Sequence, residues 1–167
     1  AWFATNGHFG NATELLLVPD HYVFRMLHSQ GVPLEALGVG NPDVDPRAAW
    51  RLLSENYPLF RGTPSRLWLD WVFAEVFGLT VRLDSETSDH YFDAITGALA
   101  TDDFRPRELF ERFNIEVIAT TESPLDSLEH HAAIRDSGWG RRVIPAYRPD
   151  PGVDPEFGGL ARHPRTL

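Results

Sequence analysis

A strand–helix–strand pattern in residues 114–150 limits the possible folds of this chain more than any other feature. Two short runs rich in β-branched residues, 116–120 and 142–147, flank one amphipathic segment, 125–137. This spacing predicts a βαβ unit, in which the two strands are parallel and the crossover between them is right-handed. Because ligands of α/β folds bind at the carboxyl ends of parallel strands, we expect a functional site there.

The chain before this unit is predicted to be mainly helical. Apolar residues recur at helical spacing, and the predicted helices are 20–30, 47–56, 65–77, 86–100 and 107–113. Segment 65–77 is apolar almost all round, which predicts a buried helix. Residues 1–12 are rich in glycine and asparagine and are expected to form a loop. We therefore predict a helical region at residues 1–113 and a βαβ unit with a tail at residues 114–167.

The composition of the chain excludes several classes of function. The 167 residues are 43% hydrophobic and include no cysteine, which rules out a disulfide framework, a thiolate metal site and a cysteine nucleophile. The net charge of −9 argues against nucleic acid or an anionic membrane surface as a partner. No apolar run reaches the roughly 18 residues of a membrane-spanning helix. We expect a soluble, cytoplasmic protein.

A group of polar residues opens the first long predicted helix. Asp20, His21 and Tyr22 lie where free backbone N–H groups and the helix dipole favour anions, and Arg25 follows about one turn later. From the residues alone, the simpler interpretation is structural. Asp20 would then cap the helix, and Tyr22 would be a core aromatic residue with a solvated hydroxyl.

Polar residues also follow both predicted strands. Thr120, Thr121 and Glu122 come after the first strand, and Arg148 and Asp150 come after the second. An arginine at this position can bind a carboxylate through two parallel hydrogen bonds. The alternative is a surface arginine that pairs with Asp150. We favour the binding role for Arg148.

The segment between the two strands is expected to serve mainly as a strand-to-helix turn. Ser123 is a good helix cap, Pro124 suits the first helical position, and Asp126 is favourable in the first turn. His130 and His131 follow, but adjacent residues of a helix point about 100° apart and cannot readily share a metal ion. We expect both to be surface or packed histidines.

Three motifs occur along the chain in an order that is typical of one family. The segment TTESPLDSLEHH followed by VIPAYRPD is similar to a family pattern TTDDPxDxLxxH followed by FRPD, and DHYVFR is similar to DHYxxR. The chain therefore resembles the uronate isomerases of the amidohydrolase superfamily, which are built on a (β/α)8 barrel. A barrel needs roughly 250 residues. The resemblance thus implies an N-terminal part of a barrel, with the helical region inserted after its first strand.

The resemblance also implies a function and site residues. The complete enzyme would interconvert aldehyde uronates and ketouronates in carbohydrate metabolism, for example D-glucuronate and D-fructuronate. His21 and Tyr22 would be catalytic, and Arg148, Arg25 and Thr121 would bind the substrate. A divalent metal, such as zinc, is implied for the complete enzyme. Because the family's HxH ligand pair is absent from this sequence, we expect the ligands outside this chain and no activity of the isolated chain.

One departure from the family favours a different function. The family helix NPLYHWxHLELxxxFG appears here as TPSRLWLDWVFAEVFG, so Asp70, Trp71 and Val72 replace its polar HLE part. The alternative is a non-catalytic helical interaction module, or a remnant of the family. A different amidohydrolase-type lyase or hydrolase is a third hypothesis. The expected partners are a small-molecule uronate and, since a partial barrel exposes strand edges, a second copy of the chain.

Overall fold

The computed structural model describes residues 2–123 and 126–149 of the chain. Contacts between residues divide the chain into two compact units. The helical unit consists of His8–Arg105, and the sheet unit consists of the described residues in Ala1–Gly7 and Pro106–Leu167. The division at residue 113, which concerned the topology of a barrel, stays a prediction. No helix in the described part is long and apolar enough to cross a membrane.

The elements follow one another in a largely helical order. The α-helices and strands are α1 (Trp2–Thr5), α2 (Ala12–Leu16), α3 (His21–Ser29), α4 (Pro46–Asn56), α5 (Pro64–Trp71), α6 (Ser88–Leu99), α7 (Pro106–Arg112), β1 (Ile118–Glu122), α8 (Glu129–Asp136) and β2 (Val143–Tyr147). Short 3-10 segments lie at Leu34–Leu37, Tyr57–Phe60 and Asp102–Phe104, and a π-helical turn at Val72–Val76 continues α5.

The helices begin where the sequence supplies side-chain caps. The Asp20 carboxylate accepts hydrogen bonds from the backbone N–H groups of Tyr22 at 2.9 Å and Val23 at 3.2 Å, so the predicted cap is confirmed. At the start of α4, Asp45 accepts from the N–H of Arg47 at 3.0 Å. These bonds satisfy donors that the first helical turn leaves free.

The core of the helical unit is built on large aromatic side chains. Trp50, Tyr57 and Phe73 are buried, and the Trp50 ring lies 6.2 Å from the Phe73 ring in an edge-on arrangement. The ring of Tyr91 lies 5.0 Å from that of Phe73. The Trp50 indole N–H donates to the backbone oxygen of Ser88 at 3.2 Å, which ties α4 to the start of α6 and satisfies a buried donor.

The prediction that segment 65–77 is buried on all sides is wrong. Leu69 and Phe73 face the core, but Leu67 is 76% exposed and Trp71 is 53% exposed. Apolar content predicted burial of the whole helix, whereas α5 is covered on one side only. Residues 1–12 also differ from the prediction, because they include the short helix α1 and the first residue of α2.

The sheet unit contains the predicted strand–helix–strand arrangement. Strands β1 and β2 are parallel neighbours, with Ile118 opposite Val143 and Glu122 opposite Tyr147. The helical region and the parallel pair of strands are thus confirmed. The aromatic contacts of this unit join α1 to the rest, since the Phe3 ring lies 5.9 Å from Phe110.

The boundaries of the crossover differ from the prediction. Strand β1 extends to Glu122, and α8 begins only at Glu129. Ser123 and Asp126 therefore do not lie in the first turn of the helix; Asp126 instead accepts a hydrogen bond at 2.7 Å from the N–H of Leu128, which has a left-handed backbone. Polar side chains that form local bonds delay the helix in this way. The prediction for Pro124 lies outside the described residues.

Candidate functional site

The amino-terminal end of α3 presents an exposed pair of rings. The His21 and Tyr22 rings have centroids 4.2 Å apart, and Tyr22 is 61% exposed. The guanidinium carbon of Arg25 lies 6.0 Å from the centre of the Tyr22 ring. The structural interpretation from the residues alone, in which Tyr22 is a core aromatic residue, is therefore wrong. Its hydroxyl and the His21 imidazole are accessible groups that can exchange protons and hydrogen bonds with a ligand.

A second group lies at the carboxyl end of the parallel strands. Successive side chains of a strand point to opposite faces. Thr121 lies opposite Ala146 in the register, and the backbone N–H of Arg148 donates to the oxygen of Glu122 at 3.1 Å, which continues the ladder past β2. Continued alternation places Arg148, two residues beyond Ala146, on the same face as Thr121. Thr121 and Arg148 are both exposed.

The opposite face of β1 carries a hydrogen-bonded cluster with α8. The Nε2 atom of His131 lies 2.9 Å from the hydroxyl oxygen of Thr120 and 3.1 Å from the Oε1 atom of Glu122. These contacts hold the pKa of Glu122 below its ordinary value, with the bond to His131 as the main cause and that to Thr120 next. The cluster is therefore a place where a carboxylate stays ionised.

The two adjacent histidines have different surroundings. The side chain of His130 is 57% exposed, whereas that of His131 is 13% exposed. The sequence predicted surface or packed histidines, and His130 is the first kind and His131 the second. Sequence reasoning missed the partners of His131, although the signal was present. Thr120 and His131 occupy the first and last positions of the TTDDPxDxLxxH pattern, and Glu122 stands at its third position, where the pattern has aspartate.

A cavity of about 370 Å³ adjoins this cluster within the sheet unit. Its walls combine apolar side chains from α1, α8 and β2 with the polar groups of Glu122 and His131. The Nδ1 atom of His131 is buried and has no hydrogen-bond partner in the described part of the chain.

Asp70, in the segment that departs from the family pattern, has structural partners. Its carboxylate accepts hydrogen bonds from the Tyr57 hydroxyl at 2.9 Å and from the Nε of Arg66 at 2.6 Å. Burial and the bond to Asp70 raise the pKa of Tyr57. The Arg66 guanidinium also lies 3.9 Å from the centre of the Tyr57 ring. This segment therefore stabilises the helical unit, and its polar residue is already bonded.

The predicted site residues fall into two groups. His21, Tyr22 and Arg25 lie together on α3 of the helical unit, and Thr121 and Arg148 lie together in the sheet unit. Among residues 2–123 and 126–149, no three histidine, aspartate or glutamate side chains are grouped so that they could hold a metal ion. The described residues thus do not fit a metal centre.

Comparison with known proteins identifies the family. A family model described as glucuronate isomerase matches residues 2–161. The chain belongs to the glucuronate isomerase family. It is 71% identical over 164 residues to a uronate isomerase of Sphingopyxis alaskensis, a match that covers 96% of this chain and 35% of the relative. A uronate isomerase of Rhizorhabdus wittichii is 70% identical, with 96% and 34% covered.

Solved structures of glucuronate and uronate isomerases have the same fold. The crystal structure of glucuronate isomerase from Caulobacter crescentus matches with a TM-score of 0.91 and 61% identity, covering 96% of this chain and 34% of that one. A uronate isomerase from Thermotoga maritima matches with a TM-score of 0.82 at 23% identity, which shows the shared fold alone. The chain thus spans about a third of the length of the family members that it matches.

Proposed function

We propose that this chain forms part of the substrate site of a uronate isomerase with a (β/α)8 barrel. The complete protein would interconvert aldehyde uronates and ketouronates, such as D-glucuronate and D-fructuronate, in the cytoplasm. Membership of the family over residues 2–161 supports this proposal. The observation that carries it is the position of Thr121 and Arg148 at the carboxyl end of the parallel strands, where barrel enzymes bind substrates.

Arg148 is proposed to bind the carboxylate of the uronate. A guanidinium can form two parallel hydrogen bonds with a carboxylate, and this geometry fixes both the position and the orientation of the sugar acid. Thr121, on the same face of the strands, offers a hydroxyl that can donate to or accept from a sugar oxygen. These two residues supply recognition rather than proton transfer.

His21 and Tyr22 are proposed to act on the sugar oxygens. Conversion of an aldose to a ketose moves a proton from C2 to C1 and changes which oxygen carries a hydrogen, so it needs groups that donate and accept protons. An accessible imidazole next to an accessible phenol provides both. Arg25 lies on the same helix, one turn from this pair, and adds a positive charge that favours an anionic substrate.

A divalent metal, such as zinc, belongs to the proposed complete enzyme. Because the family's HxH ligand pair is absent from this sequence, we assign its ligands to residues outside this chain. None of the roles proposed for His21, Tyr22, Arg148, Arg25 and Thr121 depends on it. For the isolated 167-residue chain, the unpaired strand edges of an incomplete barrel make a second copy of the chain a proposed partner.

Steady-state kinetics of the full-length protein test the role of Arg148. We expect Arg148→Met to lower kcat/KM for D-glucuronate by roughly ten- to a hundredfold, because a hydrogen bond to a charged group contributes about 1.5–3 kcal/mol. Arg148→Lys should lower kcat/KM less than Arg148→Met does, since lysine keeps the positive charge. D-glucose lacks the carboxylate. Any activity on D-glucose should therefore be the same in Arg148→Met as in the unmodified protein.

Arg135 provides the matched control, because it is an exposed arginine on α8. Arg135→Met should leave the kinetics for D-glucuronate unchanged. Equal losses in Arg148→Met and Arg135→Met would contradict carboxylate binding by Arg148. A full-length protein without isomerase activity would instead favour the non-catalytic helical module.

A further inference from the structure

The His131 side chain bridges two residues that flank Thr121. Its Nε2 atom contacts the side-chain oxygens of Thr120 and Glu122, which lie on the same face of β1 because strand residues alternate. The Glu122 carboxylate can only accept a hydrogen bond, so Nε2 is the donor. One side chain of α8 thus holds both neighbours of Thr121 on the helix-facing side of the strand.

The bridge has a consequence for Thr121 itself. When the residues on both sides of it are fixed toward α8, the Thr121 side chain must point to the other face, which also carries Arg148. The two contacts lie in the last three residues of β1. This is the end of the strand at which substrate is proposed to bind.

The bridge from the His131 ring to Thr120 and Glu122 depends on one ring atom, Nε2. The His131 side chain is mostly buried, and its Nδ1 atom has no partner in the part of the chain that the structure describes. All the hydrogen bonds that link the ring to β1 therefore use Nε2. A side chain that places a donor at Nε2 can replace the histidine, whereas one that places a donor at Nδ1 cannot.

We infer that His131 is a positioning residue of the isomerase, which fixes the carboxyl end of β1 so that Thr121 faces the substrate. The inference rests on the function proposed above and adds a residue to it. His131 does not touch the substrate in this arrangement, because it lies on the opposite face of the strand. It acts through Thr120 and Glu122 on the orientation of Thr121. The inference also gives a physical reason for the first threonine and the final histidine of the TTDDPxDxLxxH pattern.

Two polar variants of the full-length protein separate the ring atoms. Glutamine places an amide nitrogen near the position of Nε2, and asparagine places one near Nδ1. We expect His131→Gln to keep kcat/KM for D-glucuronate within about threefold of the unmodified protein, and His131→Asn to lose roughly ten- to a hundredfold, since misplacement by about 1 Å can cost about a hundredfold. His130→Asn, on the exposed neighbour, is the control and should have no effect.

A double-mutant cycle tests whether His131 acts through Thr121. In a Thr121→Val background, His131→Asn should cause little further loss, because the group that it positions is gone. A purely structural role would give losses that multiply, together with a fall in Tm that parallels the loss of activity. Circular dichroism and Tm of each variant measure that structural contribution separately, so a variant that folds poorly is recognised.

The outcomes distinguish the two proposals. Equal activity of His131→Gln and His131→Asn, or multiplying losses in the cycle, would overturn the positioning role while the proposed function stands. Absence of isomerase activity from the unmodified full-length protein would overturn the proposed function itself. A selective loss in His131→Asn that disappears in the Thr121→Val background supports both.

Discussion

The two compact units differ in how completely they bury their apolar side chains. The helical unit surrounds Trp50, Tyr57 and Phe73 on all sides. The sheet unit buries Ile134 and Val143 on one face of its two strands, while Ile144 on the other face of β2 is exposed. A two-stranded sheet is normally too small to be stable unless it packs against other elements. The difference shows that the helices complete a core within this chain. The two strands, in contrast, are covered on only one face.

The largest expected effect is in the core of the helical unit. Trp50→Ala should lower the free energy of unfolding of the 167-residue chain by about 3–5 kcal/mol, because it leaves a cavity among aromatic rings and removes the bond to Ser88. Urea unfolding followed by circular dichroism measures this. Trp71→Ala is the matched control and should cost less than about 2 kcal/mol, since half of its surface is already exposed. Equal costs would contradict the one-sided burial of α5.

The next effect compares the two faces of the sheet unit. Ile134→Ala, beneath the strands, should cost about 2–4 kcal/mol, because Ile134 is buried. Ile144→Ala, on the exposed face of β2, should cost less than about 1 kcal/mol in the 167-residue chain. In the full-length protein, the proposed barrel would cover Ile144. The loss in free energy of unfolding caused by Ile144→Ala should then rise toward that caused by Ile134→Ala. An unchanged cost in the longer protein would argue against coverage of this face.

A smaller effect of opposite sign is expected at two glycines. Gly97 lies in α6 with open space around the position of a Cβ atom, so Gly97→Ala should raise the free energy of unfolding by about 0.5–1 kcal/mol. Gly138, which follows α8, has a φ of +83°. Gly138→Ala should therefore lower the free energy of unfolding by about 1 kcal/mol. Chemical denaturation of both variants measures the signs. If both Gly97→Ala and Gly138→Ala raised the free energy of unfolding, the left-handed turn at Gly138 would be contradicted.

The smallest effect concerns the charged surface that links α4 and α6. Bonds from Arg51 and then Arg47 hold the pKa of Asp89 below its ordinary value of 3.8. A lowered folded-state pKa means that the carboxylate stabilises the fold above pH 3.8, and that this stabilisation is lost as the pH falls through the lower folded-state value. Asp89→Asn should therefore be less stable than the unmodified chain at pH 7, by an amount that shrinks in acid and in high salt.

Asp103 provides the control for this measurement. It is exposed and makes no hydrogen bond or ion pair among the described residues, so Asp103→Asn should not change the pH dependence. Denaturation at pH 7 and near pH 3 compares the two variants. A difference for Asp89→Asn that stays constant with pH would contradict the contribution of its ionised form.

Local patterns were sufficient for much of the fold and failed at particular places. The parallel pair of strands and the cap at Asp20 were predicted correctly, because apolar periodicity and capping are properties of short segments. The end of β1 and the start of α8 were misplaced by two to four residues, because local bonds of Asp126 and a left-handed Leu128 delay the helix. Such competition between local bonds and helix formation is not visible in hydrophobic periodicity.

The candidate site was also predicted unevenly. Motifs indicated His21, Tyr22, Arg25, Thr121 and Arg148, whose roles stay predictions. The sequence could not show that Tyr22 is exposed or that Arg148 follows the face of Thr121, because burial and register depend on pairing between segments. The contacts of His131 with Thr120 and Glu122 were missed, since they join residues about ten positions apart on different elements.

The sequence by itself determined the order of the longer helices and of the two strands, the absence of thiol chemistry and the family to which the chain is similar. These depend on composition, on periodicity and on short motifs. Only the tertiary structure decided which side of α5 is buried, which face of β1 carries Thr121, and that His131 bridges its neighbours. Those outcomes depend on packing between segments distant in the chain, where the free energy of burial and hydrogen bonding selects one arrangement among several that the local pattern permits.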